Sequence, residues 1–253
     1  MTVMLYDGTY AGLLTAIFEI YEYKFDQPAI YKHEASGSLF GCTHHVITNS
    51  DKSKRVYKKL QDRLTPGALK QLYDAHLSEL KDVENVSLRY IQYMLKTNAA
   101  VENNYAHPDV LFIQQTSRKV HREKHRMEAF VRFQLTKDEL YYAIVQPDYN
   151  VLPLIIKHFK DRYADQRWMI YDALRKYGIY YDLNTVTEVQ IDFAADLNNA
   201  SEVAGIYDED EMLYKALWQQ YFSSVNIKAR KNTKLHIQHM PKRYWKYLVE
   251  KQN

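Results

Sequence analysis

The sequence predicts an α+β fold, and three observations carry that prediction. Helical periodicity dominates the first half of the chain, a β-β-α-β-β-β succession begins near Phe130, and helix signals return at the C-terminus. Segregated helices and antiparallel strands argue against a doubly wound α/β sheet. A chain of 253 residues can bury a large core. One compact domain over 1–253 is expected, with a subdivision available between a mainly helical 1–128 and a sheet-plus-helices 129–253.

Val3 to Tyr6 reads as a short strand, followed by a turn at Asp7-Gly8-Thr9. The next stretch, Tyr10 to Tyr23, places Leu13, Leu14, Ile17, Phe18 and Tyr21 at helical spacing. Thr9 or Asp7 supplies the oxygen that caps it, and Gln27-Pro28 closes it. Segment 29–50 is β-branched and punctuated by glycine, with one or two strands. Residues 52–64 (KSKRVYKKLQDRL) form a basic helix, stopped at Thr65-Pro66-Gly67. Further helices are expected over about Pro66 to Lys81, Val86 to Leu95 and Val110 to Glu128, with a loop from Thr97 to Asp109. Strands follow at Phe130–Leu135 and Leu140–Val145 across a four-residue turn. A helix from Val151 to Tyr163 carries Pro153 in its first turn, where a missing N–H costs little. Trp168–Asp172, Ile179–Asp182 and Val186–Ile191 read as three more strands. The acidic stretch 196–210 is expected as a loop, Met212 to Val225 as a helix, and the basic C-terminal segment as ending in a helix that opens near Pro241.

Composition limits the chemistry. The single cysteine, Cys42, precludes an intrachain disulfide and any cysteine-only zinc or iron–sulfur site. No secretory leader pattern and no apolar run of bilayer length is present, which points to a reducing, cytoplasmic setting without a membrane role. Tyr supplies 23 aromatic residues against 9 Phe and 3 Trp. Either a compositional bias, the favoured reading, or a base-stacking surface accounts for that excess. Net charge is only +3, but it is unevenly placed. Eight acids and no Lys or Arg lie between Glu188 and Glu211, whereas Lys228 to Lys251 hold eight basic residues and one acid. The two segments either neutralise one another or expose a polyanion-binding surface.

Motif searches are mostly negative. No Walker A loop, G-x-G-x-x-G or G-x-S-x-G is present. Cys42-Thr43-His44-His45 lacks a matching second ligand pair, and adjacent strand residues such as His44 and His45 point to opposite faces. His121 and His125 share a helix face but sit among cations, as do His236 and His239. A solvated face is the better reading for each pair, so neither a metal nor a cofactor is expected. The strongest local signal is His239-Met240-Pro241-Lys242-Arg243-Tyr244-Trp245-Lys246-Tyr247-Leu248, where basic and aromatic residues alternate at a helix start. Cations there can neutralise phosphates while aromatic rings stack on bases. Tyr244 and Leu248, one turn apart, are expected to enter the core, leaving Lys242, Lys246 and Arg243 outside.

Tyr6-Asp7-Gly8-Thr9 with Gly12 to Ala16, Arg126 to Phe133, Asp161-Arg162-Tyr163, Trp168 to Asp172, Arg175 to Gly178, Arg230-Lys231-Asn232 and Gln238 to Lys246 together resemble a bacterial family described as a probable DNA-metabolism protein of unknown function. The likeness covers essentially the whole chain. Around the Arg230 element, this sequence has Lys228 and Thr233 where relatives tend to carry an acid and a proline. The resemblance implies a radical-SAM protein as companion, and some relatives are fused to a uracil-DNA-glycosylase-like domain. With one cysteine, such a companion would hold the cluster.

Three functional readings follow. The first is a DNA-binding accessory factor of a repair or modification system, contacting phosphate through Arg230, Lys242, Arg243 and Lys246, then Arg126 and Arg132. A nucleic-acid-processing enzyme using Asp7, Asp161 or Asp172 is the second. In the third, the protein is an interaction subunit whose basic helix docks on an acidic partner.

Overall fold

The computed structural model describes residues 2–32, 42–97, 100–136, 139–190, 237, 239–248 and 251. The acidic stretch, the helix expected over 212–225, Arg230 and His236 lie outside the described residues. The fold class is α+β, arranged as two compact units, residues 1–121 and 122–253. The division falls within one long helix.

In the first unit, β1 (Thr2–Tyr6) is the middle strand of a parallel three-stranded sheet, flanked by β2 (Pro28–Lys32) and β3 (Cys42–His45). Val3, Met4, Leu5 and Tyr6 are all buried, as expected of a parallel strand covered on both faces. The first half is therefore helical around a small sheet. Helix α1 (Tyr10–Glu22) crosses over between β1 and β2, and α2 (Ser50–Gln61), α3 (Pro66–Leu77) and α4 (Val83–Lys96) follow β3. The side chain of Asn85 on α4 accepts from the Ile30 N–H at 2.8 Å and donates to its carbonyl at 3.2 Å. The open edge of β2 is thereby satisfied without another strand.

Helix α5 (Pro108–Phe130) enters the second unit, where the sheet order is β4 (Gln134–Leu135), β5 (Tyr141–Val145), β6 (Trp168–Asp172), β7 (Tyr177–Tyr181) and β8 (Val186–Gln190). The β-β-α-β-β-β succession is as expected, but one pairing corrects the antiparallel reading. β5 and β6 run parallel, because α6 (Leu152–Arg162) carries the chain back before β6 begins. The strand expected from Phe130 is shortened to Gln134–Leu135, since α5 keeps its helical register through Phe130. Its last turn is closed by the Arg132 guanidinium, which donates to the carbonyls of Ala129 at 2.8 Å and Val131 at 3.2 Å. The C-terminal helix is a 3-10 turn, Lys242–Tyr247, opened by Pro241.

Four buried tyrosines pack the ring and donate the hydroxyl to an acceptor. Tyr6 donates to Glu84 at 3.0 Å, Tyr181 to the Leu183 carbonyl at 2.7 Å, Tyr177 to Asn150 and Tyr244 to Glu123. Much of the tyrosine content thus serves the core boundary.

His76 on α3 is 6 % exposed, and its Nδ1 has no hydrogen-bond partner among the described residues. Burial, then the nearby Lys32 ammonium, depress its imidazole from 6.5 to about 4. A depressed folded-state value means that stability is complete above pH 6.5 and is lost as pH falls through about 4. The loss amounts to about 3 kcal/mol once the unfolded chain is protonated. Urea unfolding between pH 7 and 4 should show that decline, and His76→Phe should flatten it. An unchanged pH profile in the variant would contradict the assignment.

Candidate nucleic-acid interface

The C-terminal block is anchored in the second unit by its own aromatic residues. Tyr244 and Leu248 are buried, as their spacing predicts, and the Trp245 indole N–H donates to the Met240 carbonyl at 3.0 Å. The cations divide. Lys242 is exposed, with its ammonium 5.9 Å from the Trp245 ring centre. Lys246 is also exposed and donates to the Gln146 side chain at 2.5 Å, as the Tyr247 hydroxyl does at 2.9 Å.

Arg243 is also exposed, but its guanidinium is already engaged by protein acceptors. Its guanidinium meets Glu123 at 3.1 Å and Asp148 at 2.7 Å, and it donates to the Tyr244 hydroxyl at 2.5 Å. Glu123 has a side chain only 1 % exposed; it also accepts from Arg126 at 3.4 Å and from the Asp148 N–H at 2.9 Å. One buried carboxylate therefore collects two arginines and a phenol. Burial raises the Asp148 carboxyl above its ordinary value, against the opposing pull of Arg243. Of the residues expected to meet phosphate, Arg243, Arg126, Arg132 and Lys246 spend donors on protein acceptors, while the exposed Lys242 lies beside the Trp245 ring.

Each carboxylate considered for catalysis has its own local partners. Asp7 belongs to the first unit, Asp161 and Asp172 to the second. Asp161 is an exposed partner of Lys157 at 2.6 Å. Asp172 is fully buried, bonded by Arg175 at 2.9 Å and by the Leu174 and Arg175 N–H groups; burial nevertheless raises its carboxyl. Asp7 makes the turn that the sequence allows for it, accepting from the Thr9 N–H at 2.9 Å and hydroxyl at 2.8 Å and from the Thr48 hydroxyl at 2.7 Å. Burial opposes its ionisation, but these bonds prevail and hold its carboxyl below the usual range. His44 binds Glu19 at 2.8 Å, His121 accepts from Lys70 at 2.9 Å, and His125 meets Glu128 at 3.0 Å. Among the described residues no cluster of three or more His, Cys, Asp or Glu is placed to hold a metal ion.

Among the described residues a second cationic surface is α2, which the sequence marks as a basic helix without singling out its residues. Asn49 caps it by accepting from the Asp51 and Lys52 N–H groups. Ser53 and Leu60 are buried and Val56 half-buried along one face. Lys52 turns toward α1, pairing with Glu19 at 2.9 Å and Glu22 at 2.7 Å. Lys54, Arg55, Lys58 and Lys59 are all exposed, and none has a carboxylate partner among the described residues. The Arg55 guanidinium rests over the Phe18 ring, 4.8 Å from its centre. The run Lys-Ser-Lys-Arg-Val-Tyr-Lys-Lys was the available signal.

Glu123→Gln should leave a buried hub short of its charge, costing about 3 to 5 kcal/mol of unfolding free energy by urea titration. A loss under 1 kcal/mol would mean that the arginines find water instead.

No curated protein matches the chain. Among solved structures, a pGpG-specific phosphodiesterase, PggH from Vibrio cholerae, is aligned at 10% identity, with 88% of this chain and 98% of that chain covered and a TM-score of 0.30. Residues 81–250 match the family described as a domain of unknown function, DUF4130, which spans the larger part of the sequence. The chain belongs to the DUF4130 family.

Proposed function

We propose that this protein is a DNA-binding accessory factor of a repair or modification system. The observation that carries the reading is the outer face of α2, where four exposed cations stand without a carboxylate partner among the described residues. Unpaired surface cations that close together release counterions when a polyanion binds, which is the main source of sequence-independent affinity for nucleic acid. Lys242 adds a further exposed ammonium group, and Lys246 an exposed one that the Gln146 side chain already engages. Arg230 keeps its place in the proposal from the sequence alone. A radical-SAM companion is part of this reading through the family resemblance. Since the chain has one cysteine, that companion would carry the cluster and this protein would position the nucleic acid.

A salt titration with a labelled single strand and its duplex tests the reading. Each phosphate contact contributes a log–log slope of about −0.7 on a single strand and about −0.9 on a duplex. Lys54→Glu with Lys58→Glu should lower the single-strand slope by about 1.4 and weaken low-salt binding about tenfold or more. Absence of binding at low salt to either form, or an unaltered slope in the variant, would sink the proposal.

A further inference from the structure

Beside the cationic face of α2 lies a cleft of about 630 Å³, walled by Tyr10, Tyr57 and Tyr73 with Leu64, Leu69 and Lys70, and with Gln61 at its edge. That volume suits a small organic ligand, within the ordinary range for such sites. Its chemistry is specific: three phenol rings, an amide and an ammonium face it, and no carboxylate lines it. A cationic ligand would find no counter-charge there. A flat, neutral ring attached to an anionic chain would find both of its halves accommodated.

The three rings differ in freedom. Tyr10 and Tyr73 meet edge to face, with centroids 5.2 Å apart and planes at 74°. Tyr10 also packs on the buried His76 ring at 5.3 Å. These contacts make a fixed wall. Burial raises the phenols of both Tyr10 and Tyr73 above their ordinary value, so each hydroxyl stays neutral and able to donate. Tyr57 is different. It is 41 % exposed, and its ring has no stacking partner among the described residues. On α2 it lies one turn after Lys54 and one turn before Gln61, so all three share a face, with Lys58 next to it. A phosphate-binding ammonium, an unpartnered aromatic ring and an amide able both to donate and to accept follow one another along the helix.

We infer that the cleft takes one unstacked base of the nucleic acid bound along α2. The base stacks on Tyr57 against the Tyr10–Tyr73 wall, Gln61 meets its polar edge, and Lys54, Lys58 and Lys70 face the flanking phosphates. Stacking on aromatic side chains accepts any base, because every base has a π face. The ligand class is therefore an unpaired base, from a single strand or extruded from a duplex, with no sequence preference. This inference rests on the α2 reading above and adds to it the form of nucleic acid preferred.

The test uses the full chain and fluorescence anisotropy with three labelled probes: a short single strand, its matched duplex, and the same duplex carrying one bulged base. The wild-type protein should bind the single strand and the bulged duplex more tightly than the matched one. Tyr57→Ala should remove that preference and weaken single-strand binding roughly 5- to 150-fold, the range for losing one stacked base. Tyr57→Phe should keep both. If Tyr57→Ala binds all three probes as the wild type does, the cleft assignment is wrong while the α2 reading stands. If Lys54→Glu with Lys58→Glu also changes nothing, the α2 reading fails with it. A free nucleoside monophosphate, added as competitor, should displace the single strand only weakly. Displacement at a concentration comparable to that of the strand itself would overturn the inference in favour of a mononucleotide site.

Discussion

The position of the cationic face depends on a small web of hydrogen bonds at the carboxyl end of β1. The Asp7 carboxylate fastens Thr9, which caps α1, and Thr48, which leads into α2. One turn into α1, the Thr15 hydroxyl donates to the Ala11 carbonyl at 2.8 Å and accepts from the Asn49 N–H at 3.2 Å. Asn49 in turn caps α2. Two helix starts are thus held side by side by one carboxylate and three hydroxyls. Gly12 lets them approach: a Cβ there would stand 2.2 Å from an Asp7 oxygen and 2.8 Å from the Thr48 hydroxyl. With its start fixed, α2 can bury only the stripe of Ser53, Val56 and Leu60, and its remaining cations are left to water.

The second unit uses charge in the opposite way. Glu123 gathers Arg243, Arg126 and the Tyr244 hydroxyl at a site nearly closed to solvent. Arg175 secures the loop after β5 by donating to the Pro147 and Asp148 carbonyls at 3.2 Å each. Both guanidinium groups work as multi-pronged donors to protein acceptors, a role suited to a planar fork. The outer face of α2, in contrast, leaves three lysines and Arg55 in solvent. An arginine withdrawn from the buried Glu123 would leave that carboxylate unpaired. The exposed lysines of α2 forfeit nothing comparable on meeting a phosphate.

Much of this was legible in the sequence. Trp168–Asp172 and the start of α1 at Tyr10 come directly from period and turn chemistry. The docking of Tyr244 and Leu248 follows from their four-residue spacing. What stayed hidden is non-local. Glu123 lies 120 positions from Arg243, and nothing in either neighbourhood announces their pairing. The parallel pairing of β5 with β6 depends on where α6 returns the chain, which strand patterns do not record. Phe130-Val131-Arg132-Phe133 alternates like a strand, yet the helix before it continues through Phe130 because Met127 and Val131 keep helical spacing into the core. The basic run of α2 was visible. Its freedom from carboxylates, which gives it functional weight, required the fold.

The central claim is that polyanions meet α2, not the arginines of the second unit. Photo-crosslinking a single strand bearing 5-iodouracil, followed by peptide mapping, examines this directly. Adducts on the peptides spanning Lys54 to Gln61 are the expected result. Adducts confined to the segment from Lys242 to Lys251, with α2 unmarked, would contradict it.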